Sequence, residues 1–333
     1  MTTPKRTTVY DVAREAGVAA STVSRTFGNP RRVNAATRRH VLAVAERLGY
    51  HPNPLATALQ SGRTATVAML VPDIANPHFF GTIRGAERRA TAADITFILG
   101  FTDESADTER DKIERLARSV DGFVLASSRM PDATTADLAR EHNLALIDRE
   151  VDGLPGVVID NASGSRQLVD HLASLGHRSL VYLSGPHGSW LAGERWRALS
   201  AGAEERGMAA TRLGPFPPQV AGGGAAADAA LVSGATAVVA HNDLLAIGIL
   251  RRLAERGVSV PDQLSVAGYD DIFGADFCVP ALTTLAGPQE EAGRAAVEIL
   301  LNKASARAAE DGPRRVVLPS HLVIRDSTGP APA

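Results

Sequence analysis

The chain has 333 residues, room for two or three folding units of roughly 150 residues each, and its 44% hydrophobic and 22% charged residues are the balance of a globular protein with true cores. The net charge of −2 hides an asymmetry, because residues 1–63 hold ten Lys/Arg against three Asp/Glu while the rest hold 25 against 34. A single Cys278 excludes an internal disulfide, no Cys/His group has metal-site spacing, and no apolar run approaches the ~18 residues of a membrane span.

A small basic head on an acidic body points to a nucleic-acid-binding module joined to something else. The opening MTTPKRTTVYDV lacks the apolar run of a signal peptide. The expectation is a cytoplasmic protein with no metal or other cofactor and no membrane partner.

Thr8 and Asp11 stand at capping-box spacing. They start a helix that carries Val9, Val12, Ala13 and Ala16 and stops at Gly17. A second helix over 20–27 follows after three residues. A third starts from the N-cap Asn34, buries Val41, Val44, Ala45 and Leu48 at helical spacing, and ends at Gly49. Two short helices joined by a glycine-containing turn have the pattern of a helix-turn-helix, whose second helix enters the major groove. Val23 faces inward, while Ser21, Thr22 and Arg25 share the opposite face through their three- and four-residue spacings. Arg25 can donate two hydrogen bonds to guanine, and Ser21 and Thr22 can reach bases or phosphates. A plain surface helix with a solvated Arg25 fits the same pattern.

The segment over 51–63 begins His51-Pro52-Asn53-Pro54 and closes with Gly62. Asn53 suits an N-cap and Pro54 the first helical position. The roughly eight residues between them and Gly62 fall short of the ~12–15 that an isolated helix needs in water. A linker that becomes helical only on contact can act as a coupling element, and a linker without a switching role has the same composition.

Thr8-Val9-Tyr10-Asp11-Val12-Ala13, Ala16-Gly17-Val18, Ser21-Thr22-Val23-Ser24-Arg25 and Tyr50-His51-Pro52-Asn53 resemble the lactose-repressor/galactose-repressor (LacI/GalR) family of bacterial transcription regulators. The resemblance implies DNA contacts from Thr8, Tyr10, Ser21, Thr22, Ser24, Arg25 and Asn34, and from Asn53, Ala56 and Leu59 in a hinge helix. There a leucine, matched by Leu59, wedges into the minor groove and kinks the duplex at a cost of a few kcal/mol. Ala19 replaces the usual serine N-cap of the recognition helix, Ala20 offers only a methyl where a base-reading side chain often stands, and Thr57 replaces a common hinge arginine.

Beyond Thr64, short apolar strands alternate with helices. The strand candidates are Val67–Val71, Thr96–Leu99, Gly122–Leu125, Leu144–Ile147 and Val157–Ile159, then Ser179–Leu183, Ala237–Ala240, Leu264–Ala267 and Thr283–Leu285. Helices over Glu109–Ser119, Gly164–Leu175 and Leu244–Arg256 lie between them. Such alternation implies doubly wound parallel sheets, and this length exceeds one comfortable core. The expected fold class is therefore α/β: an all-α head over 1–50, a linker over 51–63, and a two-lobed body over 64–333. The first lobe takes about 64–160 and 289–320, the second about 161–288 and 321–328, with chain crossings near 160, 288 and 320.

Polar residues gather past the carboxyl ends of these strands, where open α/β sheets bind ligands. They are Asp73, Asp148-Arg149, Asp160, Asn242-Asp243 and Asp270-Asp271, with Phe79, Phe80 and Phe216 nearby. Carboxylates and an amide that accept hydroxyl protons, beside aromatic faces, suit a neutral polyhydroxylated ligand. Asp243 and Asp271 read better as helix caps. Gly222-Gly223-Gly224 lacks the Lys-Ser/Thr pair of a phosphate loop.

The resemblance continues through Gly176-His177-Arg178, Glu194-Arg195, His241-Asn242-Asp243, Ser265-Val266-Ala267-Gly268-Tyr269-Asp270-Asp271, Pro280-Ala281-Leu282-Thr283-Thr284 and Leu322-Val323-Ile324-Arg325-Asp326-Ser327, so that it spans about residues 7–328. It implies a body similar to periplasmic sugar-binding proteins that holds an effector and dimerises. Effector contacts map onto Phe79, Asp148, Arg195, Asn242 and Asp270, with Phe216 as a stacking aromatic and His78, Arg149 and Asp160 as further candidates. A homodimer is expected, since no heptad helix follows the last match, and its two heads read a pseudo-palindromic double-stranded operator. Two rival functions are an enzyme, for which no nucleophile elbow, HExxH, Walker loop or dinucleotide fingerprint is present, and a transport solute-binding protein, which the basic head argues against.

Overall fold

A computed structural model describes residues 7–28, 32–50, 63–303 and 315–332. The chain divides between Ala65 and Thr66 into two compact units.

The head unit holds α1 (Val9–Glu15), α2 (Ala20–Gly28) and α3 (Ala35–Arg47). The capping box forms as its spacing predicts: Thr8 N–H donates to Asp11 Oδ2 at 3.0 Å, and Asp11 N–H donates to Thr8 Oγ1 at 3.4 Å. Asn34 Oδ1 accepts from Ala36 N–H at 2.8 Å and starts α3. Gly17 and Gly49 end the first and third helices at φ of 65° and 60°, left-handed values that cost glycine nothing. Val12, Ala13, Ala16, Val23, Val41, Val44 and Ala45 form the buried core of the head.

In chain order the first part of the body runs β1 (Thr66–Val71), α4 (His78–Thr91), β2 (Thr96–Phe101), α5 (Ala106–Leu116), β3 (Gly122–Ala126), α6 (Asp132–Glu141), β4 (Leu144–Ile147) and β5 (Gly156–Ile159). The second part runs α7 (Asn161–Ser174), β6 (Ser179–Leu183), α8 (Trp190–Glu205), β7 (Ala209–Leu213), α9 (Gly223–Ser233), β8 (Ala237–Ala240), α10 (Asp243–Glu255), β9 (Ser265–Tyr269) and β10 (Thr283–Ala286). The chain then adds α11 (Gln289–Lys303), β11 (Arg315–Leu318) and β12 (His321–Val323).

Two six-stranded sheets result. The first has the order β11-β5-β4-β3-β1-β2 and the second β12-β10-β9-β8-β6-β7. Every neighbouring pair is parallel except β10 with β12, which is antiparallel. In the first sheet Val67 pairs with Phe97 on one side and Gly122 on the other. Central strands such as Leu144–Ile147 and Ala237–Ala240 are apolar throughout because helices cover both faces. One face of the first sheet packs Phe79, Ala86, Val297 and Leu300 from α4 and α11, and the other packs Ile113, Met130 and Phe123. In the second sheet α9 and α10 cover one face and α7 and α8 the other. Helices α4 and α11 touch backbone to backbone, since a Cβ on Gly85 would lie 1.8 Å from the Glu290 carbonyl oxygen.

The chain passes between sheets after Ile159, after Ala286 and between Leu318 and His321. Its last residues stay on the second sheet, where Ser327 N–H donates to the Ala281 carbonyl and Gly329 N–H to Ser265 Oγ.

Three strands escape the sequence pattern: β7, β11 and β12. β7 is an edge strand whose residues are exposed or half-buried, so no apolar run marks it. β11 and β12 have four and three residues, too short to carry a period. Asp243 also departs from the reading as a cap: Asn242 Oδ1 caps α10 by accepting from Leu245 N–H at 3.0 Å. Asp243 instead turns inward to accept from Ile272 N–H and Thr284 Oγ1. Asp271 caps no helix either, and pairs with Arg325 at 2.7 Å. Among the described residues no helix is long and apolar enough to cross a membrane.

Candidate functional site

The order of each sheet reverses at one place, between β1 and β3 in the first and between β6 and β8 in the second. Such switch points open a crevice at the carboxyl ends of the strands. The loop after β1 delivers His78 as the first residue of α4, and the ends of β4 and β9 deliver Asp148 and Asp270. Arg195 comes from α8.

These four side chains meet. His78 Nε2 lies 3.3 Å from Asp148 Oδ2, and its Nδ1 lies 3.3 Å from Asp270 Oδ1. The first approach is aligned as a hydrogen bond and the second is not. Arg195 donates to Asp270 Oδ1 at 2.9 Å, to the His241 carbonyl and to Asn161 Oδ1, and its guanidinium sits 4.3 Å over the Tyr269 ring. His78, Asp148 and Arg195 are buried, and Asp270 is half-buried with its side chain 5% exposed. The cluster therefore joins the first lobe, through His78 and Asp148, to the second, through Asp270 and Arg195. Asp148 and Asp270 have φ of 54° and 110°. Non-glycine residues rarely adopt these values, and strain of this kind gathers at functional sites.

Burial acts on each charge differently. It works to lower the His78 pKa, but the carboxylates of Asp270 and Asp148 outweigh it and hold the ring above its ordinary 6.5. His241, buried behind Arg195, is pushed well below 6.5, first by burial and then by that guanidinium. Burial also drives the Tyr269 hydroxyl up to about 12. Asp243, fully buried beside Asp270, is held well above the usual carboxylate range by desolvation and then by the Asp270 charge.

The space enclosed by the cluster is about 20 Å³, enough for little more than one water. Its walls include Ile159, Asn161, Tyr269, Gln289 and Ser320. A larger cavity of about 340 Å³ adjoins it and shares His78 and Asp270, with Phe80, Arg84, Asp271 and Phe273 on its other sides.

The remaining residues expected at the cleft lie elsewhere. Arg149 turns into the first lobe, where it donates to the carbonyl of buried Ser128 at 2.8 Å and to the exposed Asp132 carboxylate at 2.6 Å, so acceptors on its own lobe claim it. Phe79 is part of the first-lobe core and meets the His78 ring edge-on at 4.9 Å. Phe216 packs against the core between α9, α10 and the second sheet, and is absent from the cavity walls. Asp160 Oδ1 caps α7 by accepting from Ser163 N–H at 2.9 Å. The Asn242 amide spans its helix cap and the Pro218 carbonyl. Asn161, Tyr269, Gln289 and Ser320 were not foreseen. Three of them sit at the expected crossings near 160, 288 and 320, and chain that passes between two lobes necessarily floors the cleft between them.

On the head, Ser21 and Arg25 project from the exposed side of α2, with Thr22 and Ser24 half-buried beside them and Val23 inside. The Thr22 carbonyl accepts from Thr26 Oγ1. Tyr10 is 73% exposed on α1. The side chains of Thr8 and Asn34 are engaged as helix caps. Asn53, Ala56 and Leu59 lie outside the described residues.

Residues 8–53 match the family profile described as bacterial regulatory proteins, lacI family, and residues 169–328 match a periplasmic binding protein-like domain. The HTH-type transcriptional regulator DegA of Bacillus subtilis is 32% identical, covering 98% of this chain and 99% of its own. A lac repressor dimer bound to operator and the anti-inducer ONPF superposes with a TM-score of 0.86 at 25% identity, covering 98% of this chain and all of that one. A CelR–cellobiose complex gives 0.72 at 29% identity, over 97% of this chain and all of that one.

Proposed function

Because the chain belongs to the lacI family of bacterial regulatory proteins, we propose that it represses transcription from a pseudo-palindromic operator under the control of a small sugar-like effector held between its lobes. Two heads of a homodimer each place α2 in a major groove, where Arg25 and Ser21 meet base edges. The observation that carries the effector half of the reading is the buried cluster of His78, Asp148, Asp270 and Arg195, which is assembled from both lobes. A ligand bound there touches both lobes at once, so it couples their relative orientation to the linker over 51–63 and to the heads. Coupling in this sense needs two sites and a differential contact in two states.

The effector is a neutral, unphosphorylated sugar or derivative. Asp148 and Asp270 accept hydroxyl protons and repel phosphate, Arg195 is already paired, and Arg149 is committed within its own lobe. The cellobiose held by the structurally similar transcriptional regulator CelR supports this class. We take the ligand to be an inducer that weakens operator binding, and the protein to work in the cytoplasm without enzymatic activity or cofactor.

Selection from random duplexes tests the reading. The intact chain should enrich a two-fold symmetric site, and a fragment of residues 64–333 should enrich none. Arg25→Ala should relax preference at one base pair per half-site by about 1–3 kcal/mol. Enrichment of the same site by the body fragment rules the reading out.

A further inference from the structure

We propose that His78 is a proton-carrying latch between the lobes: closing them takes up a proton on its ring, and the ligand that opens or occupies the cleft must contend with that charge. This rests on the cleft reading given above. The ring lies between two carboxylates, hydrogen-bonded to Asp148 of its own lobe and facing Asp270 of the other without an aligned hydrogen bond, each at 3.3 Å. With a neutral ring, Asp148, Asp270 and Arg195 leave one uncompensated negative charge in a space that admits about one water. With a protonated ring the four groups sum to zero, and each buried charge faces an opposite one.

The groups around the ring come from every element packed on it. Asp148 follows β4, Asp270 and Tyr269 end β9, and Arg195 projects from α8, with neutral His241 behind it. Arg84 and Asp271 lie across the adjoining cavity and oppose each other in sign. Opening the lobes relieves the burial that works against the proton and takes away the Arg195 charge, but it also removes Asp270, the largest influence favouring protonation, and leaves Asp148 beside the ring. The charge balance of the closed cluster, zero with the proton and negative without it, makes the closed state the one that binds the proton more tightly. Its advantage is complete below the open-state pKa and disappears as pH rises through the closed-state value, which lies above 6.5. Within that window the closed-to-open ratio falls by up to about tenfold per pH unit.

The test uses the full-length chain with Cys278→Ser, Asp137→Cys and Val232→Cys, spin-labelled on exposed helices of the two lobes and diluted with excess unlabelled chain. Pulsed dipolar distances are read from pH 6 to 9 without DNA or sugar. The expected result is a closed population that gives way to an open one as pH rises, and a His78→Gln derivative whose distances ignore pH. A pH-independent distance in the parent, or a His78→Gln chain that keeps the slope, overturns the latch. Should His78→Gln fail to fold, nitrogen-15 histidine spectra of the parent decide: a buried ring titrating above 6.5 supports the latch, and a ring neutral at pH 6 refutes it. Neither readout involves an effector, so a protein whose lobes respond to pH but whose operator binding responds to no sugar keeps the latch and loses the effector reading.

Discussion

Replacing Arg195 by methionine isolates the charge that holds the cleft together. The substitution preserves much of the apolar stem but strips Asp270 of its aligned donor at 2.9 Å, in a pair whose side chains are 6% and 5% exposed. It also removes the donor to the His241 carbonyl and the cation over Tyr269. Breaking one partner of a buried pair costs about 3–5 kcal/mol, because the survivor stays buried and unpaired. His78 lies 3.3 Å from the same carboxylate and takes up part of the charge, so the lower end of that range applies. For a body of this size about 3 kcal/mol lowers the melting temperature by roughly 6–12 °C. Adding Asp270→Asn to Arg195→Met removes the orphaned charge and should restore a good part of the loss, giving a coupling of about 2 kcal/mol or more in the double-mutant cycle. Thermal unfolding followed by circular dichroism at pH 7 measures all four proteins. An Arg195→Met melting temperature within about 2 °C of the parent, or single effects that simply add, would refute the view that these residues act as one buried ionic unit.

Other consequences are more local. Gly293→Ala should destabilise the body severely, since a Cβ there would lie 1.9 Å from the Thr82 carbonyl oxygen and 2.9 Å from the Ala86 backbone nitrogen, whereas Gly224→Ala, with nothing within 4 Å inside α9, should raise stability by about 0.5–1 kcal/mol. Urea melts of the two variants check the contrast. Thr8→Ala removes the side-chain half of the capping box, the Oγ1 that accepts from Asp11 N–H, and should speed hydrogen exchange across α1 about fivefold, the equivalent of about 1 kcal/mol. Asp243 has a folded-state pKa above its unfolded one, so its contribution to stability is present in acid and is lost as pH rises through the folded value. Asp243→Asn should therefore gain on the parent as pH increases, and a parallel pair of stability–pH curves contradicts the assignment.

Much of this architecture is written in local patterns. Leu144–Ile147, Ser179–Leu183 and Ala237–Ala240 are strands to the residue because a doubly covered parallel strand is a short uninterrupted apolar run, and no other element of that length looks the same. The caps at Thr8 and Asn34 are equally local. What escapes depends on partners distant in the chain. Ala209–Leu213 is extended only because Ser179–Leu183 lies beside it, and β11 and β12 find their sheets by pairing with β5 and β10. Side-chain direction is harder still. Asp148 and Arg149 are neighbours past one strand, yet one turns to His78 and the other to Ser128 and Asp132. Asn242 takes the cap expected of Asp243, whose carboxylate is buried instead beside β9, where Gly268, without a Cβ, leaves room for it. Burial and acceptor geometry settle these choices, and neither has a period along the chain.

The account turns on communication between the cleft and the heads, and one titration addresses it. A labelled duplex carrying the selected site is bound by the intact chain, and unphosphorylated sugars that raise the body's melting temperature are added. Operator affinity should fall at least fivefold with such a sugar, a coupling of about 1 kcal/mol or more, and Asp270→Asn should abolish both the thermal shift and the release. A sugar that stabilises the body through this cleft yet leaves operator affinity within twofold would contradict the claim.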